Sequence, residues 1–181
     1  MDFRTCIAAV ALVASTSVVL GQSTENQKNL SSNSSSSWTY DSKTSQLSGD
    51  ATSTKRQAAK EIVDLELSEY RSWNNHNIQG VLAVYWNSPD LVSIAGDEPE
   101  VHGFAALQTA LTTVYADPNT MGRIDLDRLK VQVISDTSAT CVASYVVHTS
   151  TSVYYCDDTG TLQRFSDGWK IVFERATIHQ N

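Results

Sequence analysis

The stretch WNNHNIQGVLAVYWNSPDLV, residues 73–92, interrupts an apolar, helix-like pattern with a run of polar residues from Asn74 to Asn77. Asparagine side chains compete for backbone hydrogen bonds, so they favour helix ends over helix interiors. We expect Asn77 to cap a short second helix that ends near Trp86. The NSPD sequence that follows then turns the chain. The interruption is therefore predicted to be a joint between two helices and not a reactive site.

The segment before this joint is predicted to be a helix from Ala59 to Trp73. At 100° per residue, its apolar residues share one face. They are Ala59, Ile62, Val63, Tyr70 and Trp73. Glu66 falls near the middle of that same face, where a charged residue breaks the pattern.

After the joint, the pattern predicts a short strand at 91–95, an acidic loop at 96–102 and a helix from Gly103 to about Ala116. Four strands linked by hairpins follow. They are RIDLDRLKVQVIS, ATCVASYVVHT, a strand from about Val153 to Phe165 with a bulge near Gly160, and WKIVFERATI. Helices first and an antiparallel meander afterwards predict an α+β fold with three helices on a curved, mainly antiparallel sheet.

The bulk composition makes nucleic acid an unexpected partner. The net charge is −7 and the isoelectric point is about 4.9. Non-specific binding to nucleic acid requires a basic surface that neutralises phosphates.

Residues 1–21 are predicted to be a secretory signal peptide. Arg4 precedes an apolar run from Cys6 to Leu20, and small residues precede a cleavage site before Gln22. The run is shorter than the roughly 20 residues of a membrane-spanning helix. We therefore expect export to the periplasm or the medium, without stable membrane insertion once the signal is removed.

Residues 22–54 are predicted to be a disordered tether, and the folded domain is predicted to span 55–181. About half of the tether is Ser or Thr, which cannot bury enough apolar surface to offset the entropy of ordering. Trp38 and Tyr40 are its only aromatic residues, and we interpret them as incidental.

Three segments resemble the SnoaL-like branch of the nuclear transport factor 2-like superfamily. They are residues 73–92, residues 102–122 (HGFAALQTALTTVYADPNTMG) and residues 166–177 (SDGWKIVFERAT). The resemblance covers about residues 58–178. It implies a cone: a curved sheet around a long helix, with a pocket at the open end and frequent dimerisation. Relatives include polyketide cyclases, a steroid isomerase, dehydratases and assembly domains, so the resemblance does not select an activity.

The last strand departs from that pattern. Similar sequences often end with a motif of the form His-x-His-Thr-Ser, whereas this chain has Phe173 to Thr177 without histidine. If Trp169 and Arg175 alternate onto the concave face, Arg175 points into the cone towards Glu66. We hypothesise that Glu66 and Arg175 face each other or share a ligand, as catalytic residues or as a core ion pair.

Five aromatic residues are candidates for the wall of a small-molecule pocket, because they combine apolar area with a polar tip. They are Tyr70, Tyr85, Trp86, Tyr115 and Tyr145. The alternative for each is an ordinary core position. No metal site or cofactor is predicted, since the histidines are widely spaced and no phosphate-binding loop appears.

Cys141 and Cys156 are expected to remain thiols. If the intervening turn centres between Ser150 and Thr151, Cys141 lies opposite Gly160 and Cys156 opposite Tyr145. A disulfide requires Cα atoms within about 7 Å, which this register does not provide.

Two classes of function remain. The sequence favours an exported, dimeric module that binds a small apolar molecule or supports assembly, with the homodimer formed through the outer sheet face. The alternative is a lyase or isomerase that uses Glu66 as a general acid or base. The partner of Glu66 separates the two classes, because a carboxylate neutralised by arginine is a poor proton donor.

Overall fold

The computed structural model of the protein describes residues 35–49 and 53–179. Helix α1 spans Ser53–Asn74, α2 spans Ile78–Leu82 and α3 spans Phe104–Val114. The strands are β1 (Ser36–Asp41), β2 (Gln46–Gly49), β3 (Val92–Ala95), β4 (Val101–His102), β5 (Arg123–Val133), β6 (Ser138–His148), β7 (Val153–Phe165) and β8 (Gly168–His179). They form one sheet in the order β2-β1-β5-β6-β7-β8-β3-β4. Only the β3–β8 pair is parallel among these strand pairs. The predicted α+β class is confirmed.

The polar stretch at residues 74–77 is a joint, as predicted. Asn74 binds the backbone of Ile124 in both directions, accepting at 2.7 Å and donating at 2.8 Å. Asn77 caps α2 by accepting from the Gly80 N–H at 3.0 Å. His76 is exposed and adopts φ +56°. Asn74 therefore ties the end of α1 to the sheet, while Asn77 starts the next helix.

Residues 36–49 are a β-hairpin and not a tether. β1 pairs with β5 along its whole length, from Ser36 opposite Val133 to Asp41 opposite Arg128. Trp38 is 1% exposed and belongs to the core. The prediction of an incidental Trp38 and of a domain boundary near residue 55 is therefore wrong. The edge of β5 provides backbone hydrogen-bond partners for β1, and the Ser-rich composition of this segment does not reveal them. The predicted signal peptide and residues 22–34 lie outside the described residues.

The predicted cysteine register is confirmed. Cys141 lies opposite Gly160, and Tyr145 lies opposite Cys156. No disulfide joins these two cysteines, and both side chains are buried.

A β-bulge in β8 changes which side chains enter the cone. Leu162 pairs with Ile171 and the preceding Thr161 pairs with Phe173, which leaves Val172 as the extra residue. The extra residue therefore lies on β8, whereas the sequence predicted a bulge near Gly160 on β7. Because side chains alternate along a strand, one extra residue exchanges the two faces for everything that follows.

Candidate functional site

A cluster of acidic side chains occupies the interior of the cone, and we call it the carboxyl cluster. Its members are Glu66, Glu69, Asp158 and Glu174. Glu66 is 3% exposed, Glu69 6% and Glu174 2%. Asp158 is half-buried as a residue, but its Oδ1 atom is enclosed. Four carboxyl groups in one protein interior are costly unless protons or hydrogen bonds compensate for lost hydration.

The carboxyl cluster is assembled from α1 and the concave face of the sheet. Glu66 and Glu69 are three residues apart on α1 and therefore share a helix face. On the sheet, Gly160 lies between Cys141 and Glu174 in one row across β6, β7 and β8. The missing side chain at Gly160 leaves room for the thiol, since a Cβ there would lie 2.8 Å from the Cys141 Sγ atom.

Glu66 is bound by a thiol and not by a cation. The Cys141 Sγ–H donates to the Glu66 Oε1 atom at 3.1 Å. Burial raises the pKa of Glu66, the hydrogen bond from Cys141 lowers it, and the charge of Glu174 raises it. The resulting pKa is about 7. A carboxyl with a pKa near 7 holds and releases a proton at neutral pH. The pKa of the Cys141 thiol is itself raised by burial and by Glu66.

Tyr85 joins two of the acids. Its hydroxyl lies 2.8 Å from Glu69 Oε1 and 2.7 Å from Glu174 Oε2. A phenol carries one hydrogen, so it can donate to one carboxyl only. The other contact is a hydrogen bond only if that carboxyl is protonated and donates to the phenol oxygen. Burial and the charge of Glu174 raise the pKa of Glu69 well above its usual range, consistent with a protonated acid here.

Asp158 extends this chain of hydrogen bonds. Burial raises its pKa well above the usual range, and the charge of Glu174 and a hydrogen bond to Glu174 act in the same direction. Through Glu174, Asp158 is connected to Tyr85 and Glu69.

No basic side chain enters this interior within residues 35–49 and 53–179, because none of the lysines, arginines and histidines described there is buried. Ser93 adds a weak contact, with its hydroxyl 3.4 Å from Glu174 Oε2. The Tyr70 hydroxyl is buried and has no hydrogen-bond partner among the described residues. Burial raises the pKa of the Tyr70 hydroxyl, and the negative charge of Glu66 raises it further. The Tyr70 phenol therefore lies close to Glu66.

The expected pairing of Glu66 with Arg175 is wrong. Arg175 is exposed, while its neighbour Glu174 points into the cone. The bulge at Val172 is the physical reason, because it reverses the alternation that starts at Trp169 and Ile171. The last strand therefore brings an acid to Glu66 where we expected a base.

The five aromatic residues predicted to line a pocket lie in three places. Tyr70 and Tyr145 contact each other beside Glu66, with ring centroids 5.8 Å apart. Tyr115 packs edge-on against Trp73 at 5.0 Å. Tyr85 and Trp86 line a groove of about 470 Å³, where Trp86 stacks on Phe165 at 5.5 Å. Tyr85 thus lines this aromatic groove and binds the carboxyl cluster through its hydroxyl.

Sequence reasoning missed Glu69, Asp158 and Glu174. Glu69 follows Glu66 at helical spacing, so the same face pattern contained it. Asp158 alternates with Cys156 and Leu162, both buried, so the β7 pattern also contained it. Glu174 had no local signal, because the bulge depends on how β8 pairs with β7.

The described part of the chain contains no candidate metal site. No three His, Cys, Asp or Glu side chains there are arranged to hold a metal ion. Within the same residues, none of the helices is both long and apolar enough to cross a membrane.

Comparison with solved structures identifies the architecture. A crystal structure of an NTF-2 like protein of unknown function from Shewanella oneidensis MR-1 superimposes with a TM-score of 0.62 at 18% identity, covering 66% of this chain and 98% of that one. The chain has the nuclear transport factor 2-like fold. No protein-family model matches the sequence, and no curated protein does.

Other structures with this nuclear transport factor 2-like fold have different names. A cystatin-like fold protein from Burkholderia xenovorans LB400 has a TM-score of 0.57 at 20% identity, covering 69% of this chain and 94% of that one. A protein whose name proposes scytalone dehydratase activity, from Novosphingobium aromaticivorans DSM 12444, has a TM-score of 0.59 at 11% identity, with coverage of 72% and 89%. At these identities the likeness shows the fold and not the activity.

Proposed function

We propose that this domain, as a SnoaL-like member of its superfamily, binds a small organic molecule and transfers a proton at it, as a lyase or isomerase does. The observation that carries the proposal is the environment of Glu66. Its carboxyl is buried, accepts from the Cys141 thiol and has a pKa near 7. A general acid or base works best when its pKa lies close to the operating pH.

The absence of an arginine at Glu66 changes the balance between the two classes of function. An Arg175 partner would have held Glu66 ionised and favoured a structural ion pair. Arg175 is exposed instead. The charge of Glu174 opposes the ionisation of Glu66, and the charge of Glu66 in turn raises the pKa values of Glu69 and Asp158. Uncompensated acids in a core lower stability, and such costs concentrate at functional sites.

The remaining parts of the site have defined roles in this proposal. Glu66 takes or gives the proton. The phenol of Tyr70, which has no hydrogen-bond partner in the described part of the chain, donates to an oxygen of the bound molecule. The Tyr85 hydroxyl holds the side chains of Glu69 and Glu174 in position. A neighbour named for scytalone dehydratase activity shares the fold, which agrees with a lyase but rests on fold analogy.

An assay of proton abstraction that does not require the natural substrate tests the proposal. The probe is 5-nitrobenzisoxazole, from which a base removes the C3 proton while the N–O bond breaks to give a coloured cyanophenolate. Glu66 would accept that proton. We expect the protein to accelerate the reaction, with kcat/KM rising with pH through about 7. Replacing Glu66→Gln should lower kcat/KM at least about a hundredfold.

Glu100→Gln is the matched control, because Glu100 is exposed and contacts only His102 among the ion pairs of the described residues. It should retain the wild-type rate. Equal rates for wild type and Glu66→Gln between pH 5 and pH 9 would exclude Glu66 as the base and leave a non-catalytic module as the better interpretation.

We also propose that the domain forms a homodimer through the outer face of its sheet. Val142 and Tyr155 lie there on neighbouring strands and are 38% and 45% exposed.

Light scattering after gel filtration should give twice the chain mass. The double variant Val142→Lys with Tyr155→Lys should be a monomer, because four lysines would meet across a two-fold axis. Ile134→Lys is the control, since Ile134 is 41% exposed but follows the end of β5. A monomeric wild type would end this proposal.

Export is a third part of the proposal, and it rests on residues 1–21. The protein recovered from the medium or periplasm of its host should begin at Gln22. Its intact mass measures this directly, and a mass that still includes residues 1–21 would contradict export by a cleaved signal.

A further inference from the structure

A second groove lies between the N-terminal hairpin and α1. In the sheet, β5, β6 and β7 separate this hairpin from β8. We call it the hairpin groove. Its volume is about 490 Å³, within the range of roughly 300–1,000 Å³ that small-molecule sites occupy. β1 and β2 form one wall and one face of α1 forms the other.

The hairpin groove has an apolar floor. Val63 is 4% exposed, and Tyr40, Leu47 and Leu67 are partly buried against the core. Each of these side chains also lines the groove. A hydrocarbon chain or ring in this groove would remove their remaining apolar surface from water, which favours binding.

One cation at the hairpin groove has no carboxylate partner among residues 35–49 and 53–179. Lys60 forms an ion pair with Asp64 at 2.6 Å, so its charge is compensated. Arg56 forms no ion pair among the described residues, and its guanidinium stacks over the Trp38 ring at 5.7 Å. Trp38 is fixed in the core, so the stacking holds the guanidinium beside the groove. A guanidinium retains hydrogen-bond donors for a planar carboxylate while it stacks on an aromatic ring.

We propose that the hairpin groove binds a small amphipathic carboxylate, with its apolar part on Val63 and Leu67 and its carboxylate on Arg56. The charge, the apolar floor and the volume together select this class of ligand. The site is separate from the carboxyl cluster, so the inference does not depend on the proposed function.

Three probes of equal length test the charge requirement. Octanoate, octanol and octylammonium each contain eight carbon atoms and differ in the head group. Isothermal titration of the purified protein should show octanoate binding at least about tenfold more tightly than octanol, with octylammonium weakest. The octanoate affinity should fall as salt is added, because an exposed ion pair is screened.

Two variants separate the head group from the chain. Arg56→Gln should weaken octanoate about tenfold and leave octanol unchanged. Leu67→Ala should weaken octanoate and octanol alike. Arg71→Gln is the matched control, because Arg71 is exposed on the same helix and does not line the groove. The proposal is overturned if octanoate does not bind, if octanol binds as tightly, or if Arg56→Gln and Arg71→Gln have the same effect.

Discussion

At the scale of single residues, the contact between Gly160 and Cys141 positions the thiol that donates to Glu66. The thiol occupies the space that any side chain at position 160 would need, with 2.8 Å between the Sγ atom and a Cβ built on Gly160. The same thiol is the donor to Glu66. A single missing methyl group in β7 therefore keeps the hydrogen bond to the acid in place.

We predict that Gly160→Ala destabilises the protein by about 1–3 kcal/mol, because the added methyl group overpacks the core against the Cys141 thiol. In the double variant with Cys141→Ala, the sulfur is gone and the added methyl group fits. Urea unfolding of the four proteins at pH 5, where Glu66 is protonated, should then give a coupling free energy of about 1 kcal/mol or more. Strictly additive costs would show that the two side chains do not compete for space.

At the scale of elements, two strands have properties that their own sequences do not reveal. β8 contains the bulge at Val172, which turns Glu174 inward and Arg175 outward. β1 has a Ser-rich sequence but pairs with β5 and buries Trp38. In both cases the pairing partner decides the outcome, because a strand gains its hydrogen bonds and its buried face from a neighbour.

We predict that the hairpin contributes to the stability of the whole domain. Trp38→Ala should lower the free energy of unfolding by about 3 kcal/mol or more, since it removes a fully buried aromatic side chain. Trp86→Ala is the comparison, because Trp86 is half-buried and its main contact is the stack on Phe165. It should cost clearly less in the same guanidinium unfolding experiment. If Trp38→Ala cost no more than Trp86→Ala, the hairpin would be a peripheral attachment.

At the scale of the whole molecule, the carboxyl cluster makes stability depend on pH in an unusual direction. Burial raises the pKa values of Glu66, Glu69 and Asp158 in the folded chain. The folded chain therefore holds protons that the unfolded chain has released, over the interval from the ordinary carboxyl pKa to the raised one. For Glu66 this interval runs from 4.5 to about 7. Stability falls as pH rises through it.

We predict that the protein is more stable at pH 5 than at pH 7.5. Each group in the cluster contributes a slope of up to about 1.4 kcal/mol per pH unit within its own interval. Thermal unfolding across this range measures the effect. The double variant Glu66→Gln with Glu69→Gln should flatten the curve and be more stable than wild type at pH 7.5. A wild-type stability that stays level or rises from pH 5 to pH 7.5 would contradict the prediction that acids in the core ionise in this pH range.

Below about pH 3.8, the ordinary pKa of aspartate, the trend should reverse. The pKa of Asp41 is lowered by hydrogen bonds from the Thr44 and Lys43 backbone, and that of Asp157 by the Ser144 hydroxyl and by His179. These carboxylates stabilise the fold when ionised, and protonation removes that contribution. The stability maximum is therefore expected near pH 4.

Much of this architecture could be predicted from local patterns. The joint at Asn74 to Asn77 follows from the preference of asparagine for helix ends, and the strand periodicity of residues 123–179 follows from alternating side chains. The opposition of Cys141 to Gly160 needed only a turn position, because register in a hairpin follows from its loop. Glu66 was found as a charge on an apolar face, although its partner was not.

The sequence by itself determined the helix joint, the α+β class and the register of the β6–β7 hairpin. Each depends on interactions between residues close together along the chain. Only the tertiary structure decided that Glu174 and not Arg175 enters the cone, that Trp38 belongs to the core, and that Tyr85 joins two acids. These outcomes depend on a bulge, a strand edge and a meeting of three distant segments, and residues far apart in sequence have no local pattern that records their contact.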